Sequence, residues 1–253
     1  MIFDTHAHYD ATQFDEDREA LLSSMAESHV RRIVNIGSDR ASWEKIISLT
    51  DTYDFIYGTL GIHPSVKEDL KDAYLAELSS LLQQDKIIAV GEIGLDYYWD
   101  KDNHSLQKDM LIKQLEIAKA HKLPVVIHSR EAAADTYDIM KTHWGTRPAI
   151  IHCYSYSLEL AKAYVKLGYY IGVGGVVTFP NGKKLKEVVQ GLPLSALVME
   201  TDCPYLAPVP FRGKRNDSAK LIYVAEAIAR LKDVTLEEVL QATWDNGNKV
   251  YGL

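Results

Sequence analysis

The sequence predicts a single (β/α)8 TIM barrel over residues 1–253, on three observations. The chain has 253 residues, close to the roughly 250 typical of that fold. Eight short apolar runs rich in β-formers alternate with amphipathic stretches at helical spacing. Ligand-type side chains also gather where those runs end, which is where such barrels build their sites.

The first run is Ile2–Thr5, followed by a helical pattern over Asp15–Ser28. Arg32–Ile36 and Phe55–Leu60 are the second and third strands, and Val66–Gln83 reads as the next helix. Ile87–Gly91 is the fourth strand, with a helix over Leu106–His121 before the fifth at Pro124–His128. Ala149–His152, the helix Leu158–Leu167, Tyr169–Val173 and Ala196–Glu200 complete the series, and Thr235–Leu253 reads as closing helix. Strands joined by helical crossovers are parallel and right-handed, and eight of them close economically into a ring. The competing doubly wound sheet would carry a glycine-rich phosphate loop after its first strand; Asp4-Thr-His-Ala-His8 is nothing like one.

Composition narrows the class. Hydrophobic residues make up 47% and charged residues 25%, an ordinary globular balance, with no linker, repeat or apolar run of the ~20 residues that span a bilayer. The first residues carry no basic n-region and no long apolar stretch, so a cytoplasmic location is expected. The two cysteines, Cys153 and Cys203, give no disulfide framework. Each follows a ligand-type residue on a strand, so both are expected to turn away from the barrel axis and pack. A formal charge of −7 argues against a broad basic duplex-binding face, although Arg212-Gly-Lys214-Arg215 forms a local basic patch.

The chemistry lies at the strand ends. His6 and His8 are two apart and can share a face. Glu92 ends the fourth strand, His128 the fifth, His152 the sixth, and Asp202 follows the eighth. One such residue is commonly a salt-bridged strand end. Six on one rim would be costly without a cation among them. They are also too many for one catalytic zinc, which takes about three protein ligands and water. Two divalent ions are therefore expected, one held by His6, His8 and Asp202, the other by His128 and His152, with Glu92 bridging. The mixed nitrogen and oxygen set favours Zn2+ or Mn2+, with Mg2+ possible but less natural. Two such ions roughly 3.5–4 Å apart would activate a water between them, with Asp202 as its general base and Glu92 as the second catalytic residue.

The strings Phe3-Asp-Thr-His-Ala-His8, Gly61-Ile-His-Pro64, Gly91-Glu-Ile-Gly-Leu-Asp96, His128-Ser-Arg130, His152-Cys-Tyr-Ser155, Glu200-Thr-Asp-Cys-Pro-Tyr-Leu206 and Arg212-Gly-Lys-Arg-Asn216 resemble the TatD family of metal-dependent deoxyribonucleases in the amidohydrolase superfamily. The resemblance runs from residue 3 into the C-terminal helices. It implies a (β/α)8 fold, a divalent-metal centre on the same six residues, and 3′-to-5′ exonuclease activity on DNA, as single strands or 3′ ends. Many superfamily members bridge their metals with a carboxylated lysine on strand four; Glu92 stands there instead. Asp217-Ser218 also departs from the acidic residue and proline that many relatives carry after the basic patch.

Five further residues are candidates for substrate contact. His63, before Pro64, either hydrogen-bonds a substrate phosphate or serves structurally at a loop start. Arg130 either clamps a phosphate or pairs with Glu131 or Asp135. Arg212, Lys214 and Arg215 either bind phosphate or form a solvated basic face. Tyr97, Tyr98 and Trp99 either stack on a base or pack under the next helix, and His29, His104, His121 and His143 are read as structural. The same centre would also serve ester or amide hydrolysis, including deacylation of D-aminoacyl-tRNA. A metal- or nucleic-acid-binding module without turnover is the non-enzymatic alternative, and a complete six-ligand set argues against it.

Overall fold

The computed structural model describes all 253 residues. Eight parallel strands follow one another around the sheet in chain order. They are β1 (Ile2–Ala7), β2 (Val30–Ile36), β3 (Ile56–Leu60), β4 (Ile87–Asp96), β5 (Val125–Arg130), β6 (Ala149–Ile151), β7 (Tyr170–Val173) and β8 (Leu197–Met199). Between them run α1 (Arg18–Ser23), α2 (Arg40–Thr52), α3 (Asp72–Leu81), α4 (His104–His121), α5 (Ala133–Ile139), α6 (Leu158–Lys166) and α7 (Lys183–Gly191), followed by α8 (Leu221–Lys232) and α9 (Leu236–Tyr251). No helix is long and apolar enough to cross a membrane.

Two apolar clusters reflect the two faces of the strands. The larger one packs strands against the surrounding helices. The smaller one contains Phe3, Val34, Ile36, Val126, Ile150 and Val198, joined by Val250 and Tyr251 of α9. The last helix therefore closes one end of the barrel, with Tyr251 donating its hydroxyl to the Thr5 carbonyl (2.9 Å). Its start is fixed by a reciprocal cap between Thr235 and Glu238, which satisfies otherwise orphaned amides.

Two expected helices are shorter than their patterns. Asp15–Ser28 yields only α1, and beyond it the chain proceeds in turns, Ser24 Oγ donating back to the Leu21 carbonyl (2.7 Å). Serine competes with the helical ladder in this way. Val66–Gln83 is divided: a single turn at Lys67–Asp69 precedes α3. That turn is anchored to its neighbours, Lys67 pairing with Asp100 (3.1 Å) and Asp69 accepting from the Arg40 amide (2.9 Å).

The ring closes differently from the rest of its circumference. Seven strand pairs carry backbone ladders, whereas β1 meets the β8 end through an isolated bridge, Ala7 to Cys203. Asp4 fills the seam. It is fully buried, and its carboxylate accepts from the Thr201 amide (3.0 Å), the Thr201 hydroxyl (2.6 Å) and the Ser218 hydroxyl (2.6 Å). Burial raises its pKa to about 6, against those hydrogen bonds.

Candidate metal centre

Register irregularities fall at the first ligands within their strands, between Asp4 and Ala7 in β1 and between Val90 and Ile93 in β4. Bulges of this kind re-aim side chains. His6 and His8 bring their Nε2 atoms to 3.2 Å from each other. His6 Nε2 lies 3.5 Å from Glu92 Oε2 and 3.8 Å from Asp202 Oδ1, and His8 Nε2 lies 3.3 Å from Asp202 Oδ1. His152 Nε2 reaches both carboxylates, at 3.7 and 3.9 Å, with its ring stacked on His6 at 3.5 Å. His128 places Nδ1 at 2.8 Å from Glu92 Oε1. All six predicted ligands thus converge around Glu92.

The donor atoms gather in overlapping groups: His6 with His8 and Glu92, His6 with His152 and Asp202, and His63 with Glu92 and His128. His63 thus joins the six expected residues at the centre, 3.8 Å from Glu92. Beyond the six, one backbone carbonyl and two carboxylates stand behind the imidazoles. His8 Nδ1 faces the Ile36 carbonyl (3.0 Å), His128 Nε2 faces Asp96 Oδ2 (3.1 Å), and His152 Nδ1 lies 3.2 Å from Glu200 Oε2. Such partners set which nitrogen is free to ligate. Asp96 and Glu200 were not assigned roles from sequence, although each lies within four residues of a predicted ligand.

Cys203 is buried as expected, but Cys153 is not turned away. β6 stops at Ile151, and Cys153 adopts a left-handed backbone (φ 45°). Strand alternation no longer applies there, and its sulfur comes within 4.8 Å of donor atoms of His152 and Glu200.

Gly172 makes room for Glu200. A Cβ there would stand 2.6 Å from Glu200 Cδ. Gly172→Ala is expected to displace Glu200, loosen His152 and lower metal affinity or turnover ~10–100-fold, the usual scale for losing such a partner. Metal titration of the folded variant is the check.

The donor set fits divalent cations. His6 Nε2 and His8 Nε2 face each other at 3.2 Å beside the carboxylates of Glu92 and Asp202, an approach of two lone pairs that a shared cation would relieve. Burial disfavours ionised Glu92, yet His152, His6 and His63 outweigh it and hold the carboxyl well below the usual range. Burial likewise opposes ionised Asp202, but a hydrogen bond from His8 and the charge of His152 keep it low. Burial lowers His8 and His152, and the surrounding carboxylates overcome it: Asp202 and Glu92 push His8 up to about 9, and Glu200 and Glu92 push His152 up to about 10. Without cations, then, the carboxylates hold protons on these rings. Ligation needs neutral imidazole, so loading metal near neutral pH should release protons from His8 and His152. Apparent affinity should rise as pH climbs toward about 9 and 10. Indicator-dye release on Zn2+ or Mn2+ addition to stripped protein measures it; metal uptake with no proton release would contradict it.

The substrate candidates separate. His63 Nδ1 accepts from the Ser65 amide (3.1 Å), leaving Nε2 as the protonated nitrogen, 3.8 Å from Glu92. Burial, and then His128, lower its pKa to about 3, so the ring is neutral. Arg130 pairs with neither Glu131 nor Asp135; its guanidinium lies 4.0 Å from the Tyr98 ring centre, and Asp135 is taken by Lys108 (2.6 Å) and Tyr97 (2.7 Å). Arg212 lies over Phe179 (4.6 Å), and Lys214 is exposed. Arg215 is committed elsewhere, donating to both carboxylate oxygens of Asp17 (2.7 and 2.5 Å). A cleft of about 470 Å3, lined by His8, His63, Glu92 and Tyr205 among others, opens onto the centre.

A parallel eight-stranded barrel with this carboxylate–imidazole cluster at its strand ends defines a metal-dependent hydrolase of the amidohydrolase-like type. The TatD related DNase family model matches residues 3–252, and the chain belongs to the TatD family. It is 42% identical over 252 residues to the uncharacterized metal-dependent hydrolase YabD of Bacillus subtilis, covering 99% of both chains. It is 33% identical over 255 residues to YcfH, another uncharacterized metal-dependent hydrolase, from Escherichia coli, covering 99% of this chain and 96% of that one. The crystal structure of YjjV, a TatD homologue from Escherichia coli, superposes with a TM-score of 0.94 at 33% identity, over 100% of this chain and 98% of the other.

Proposed function

We propose that this protein is a 3′-to-5′ exodeoxyribonuclease that hydrolyses DNA phosphodiester bonds with two divalent cations, Zn2+ or Mn2+ in preference to Mg2+, held by His6, His8, Glu92, His128, His152 and Asp202. The observation that carries this reading is the pairing of a buried acidic cluster with rim cations that have no carboxylate partner. Arg130, Arg212 and Lys214 form no ion pair, in a chain of net charge −7. Cations left unpaired beside a metal-ligand set suit a substrate that brings its own negative charge. The family model's description, a related DNase, agrees with it.

When bound, the divalent ions supply positive charge that acidifies a water and offsets charge on the phosphoryl oxygens. Asp202, kept ionised by His8 and His152 and 19% exposed toward solvent, takes the proton of the attacking water at Oδ1. Glu92 fixes the positions of the surrounding imidazoles. His63 donates from Nε2 to a non-bridging phosphate oxygen, and Arg130 and the Arg212–Lys214 rim orient the strand. The P–O bond to the departing 3′ oxygen breaks, that oxygen takes a proton from solvent, and a 5′-nucleotide leaves.

The test is a paired assay on stripped protein reconstituted with Mn2+, Zn2+ or Mg2+. A 5′-labelled single-stranded DNA and a D-aminoacyl-tRNA serve as substrates. A ladder of DNA shortened stepwise from its 3′ end supports the reading and names the working metal. Deacylation without DNA shortening overturns the substrate and keeps the centre.

A further inference from the structure

We propose that Tyr98, Trp99 and Arg130 form a docking platform for an unpaired nucleobase of the substrate strand, an inference that rests on the phosphodiester reading above. The three aromatic residues after β4 do not share one fate. Tyr97 turns inward, its ring stacked on His104 at 3.6 Å and its hydroxyl on Asp135. Tyr98 and Trp99 turn outward, 43% and 66% exposed, and no large apolar side chain in the molecule is more exposed than Trp99. Trp43 and Trp144, by contrast, are buried.

The platform is rigid despite its exposure. Asp96 Oδ1 accepts from the amides of both Tyr98 (3.0 Å) and Trp99 (2.9 Å). The turn ends at buried Asp100, which binds the Asn103 side chain and pairs with Lys67. The Tyr98 and Trp99 rings meet edge to face at 4.8 Å. Arg130 covers Tyr98 at 4.0 Å and stands 5.5 Å from the Trp99 ring centre. A fixed aromatic face beside a cation without an acidic partner matches a nucleotide, a flat ring next to an anion.

The same side chain connects the platform to the chemistry. Asp96 Oδ2 faces the ligand His128 at 3.1 Å while Oδ1 holds the aromatic turn. One carboxylate therefore sets both the imidazole and the surface on which the base rests, and strand position is registered to the scissile bond.

The experiment measures binding of hexathymidylate and of an abasic hexamer with the same phosphates to metal-reconstituted Asp202→Asn protein, with and without Trp99→Ala or Trp99→Phe. Base–aromatic stacking of about 1–3 kcal/mol leads us to expect thymidylate to bind about tenfold tighter than the abasic strand and to quench tryptophan emission. Trp99→Ala should erase that preference and leave abasic affinity unchanged, while Trp99→Phe retains most of it. In the Asp202 background, KM for thymidylate should rise with kcat maintained. Equal affinity for both strands, or a preference that survives Trp99→Ala, overturns the platform; if DNA is still cleaved, the hydrolytic reading stands alone. Trp99-dependent thymidylate binding without DNA cleavage supports the platform and removes the exonuclease assignment. Failure to bind either strand overturns both.

Discussion

Glu92→Gln is expected to abolish metal-dependent turnover, by more than a thousandfold, and to destabilise the metal-free fold. Glu92 is the carboxylate around which His6, His128, His152 and His63 gather, at 2.8 to 3.8 Å. Against the opposing effect of burial, the charge of His152 foremost, with a hydrogen bond from His128, holds it ionised well below the usual carboxyl range. Removing one partner from a buried charge cluster costs about 3–5 kcal/mol, and in a chain of this size each kcal/mol moves Tm by roughly 2–4 °C. A Tm lowered by about 10 °C in calorimetry, with metal content reduced below that of the wild type, is the expected pair of results. Because the Glu92 pKa is depressed on folding, its stabilisation is present above the unfolded carboxyl pKa and is lost as pH falls through the folded value. The Tm difference between wild type and variant should therefore shrink in strong acid. A Gln variant with full metal content and full turnover would remove Glu92 from the centre of the scheme.

Asp202→Asn separates proton transfer from binding. Asparagine keeps the size and one oxygen that can still face a cation but cannot take a proton from water, so the comparison is made at metal content matched to the wild type. Loss of a positioned acid–base group costs about 10²–10⁴ in rate, and that fall should appear in kcat, with KM changed only a few-fold. Asp202 is partly exposed, so the fold should tolerate the change. In the wild type, the limb of kcat governed by Asp202 should lie below the ordinary carboxylate range, since its pKa is lowered. A kcat within tenfold of wild type would assign the proton to another acceptor.

Much of this was legible in the sequence because a barrel converts strand order into a ring of strand ends. Knowing that His6, Glu92, His128, His152 and Asp202 end separate strands is enough to place them together. Strand lengths were less legible. β4 continues to Asp96, while β6 and β8 stop at Ile151 and Met199, before their ligands. Hydrophobic runs do not record where pairing gives way to a loop, and this is why the orientation of Cys153 came out opposite to the strand rule. Ring packing was also hidden, since a stack such as His152 on His6 depends on ring orientation across the barrel. Likewise Arg215 joins a basic string in sequence but meets Asp17 only because the fold brings α1 beside the β8 loop.

The seam held by Asp4 has a temporal consequence. His6 and His8 arrive with the first strand, and Asp202 lies 194 residues beyond His8. The two sides meet where the ring lacks a backbone ladder, the Asp202 amide donating to the His6 carbonyl (2.9 Å). A cation held as proposed by His6 and Asp202 would therefore tie β1 to the segment after β8. No nascent chain can assemble that site before residue 202 of 253 has left the ribosome, and the entropy of closing so long a loop falls on the same event. Capture of a cation held as proposed would therefore come late in synthesis and report ring closure.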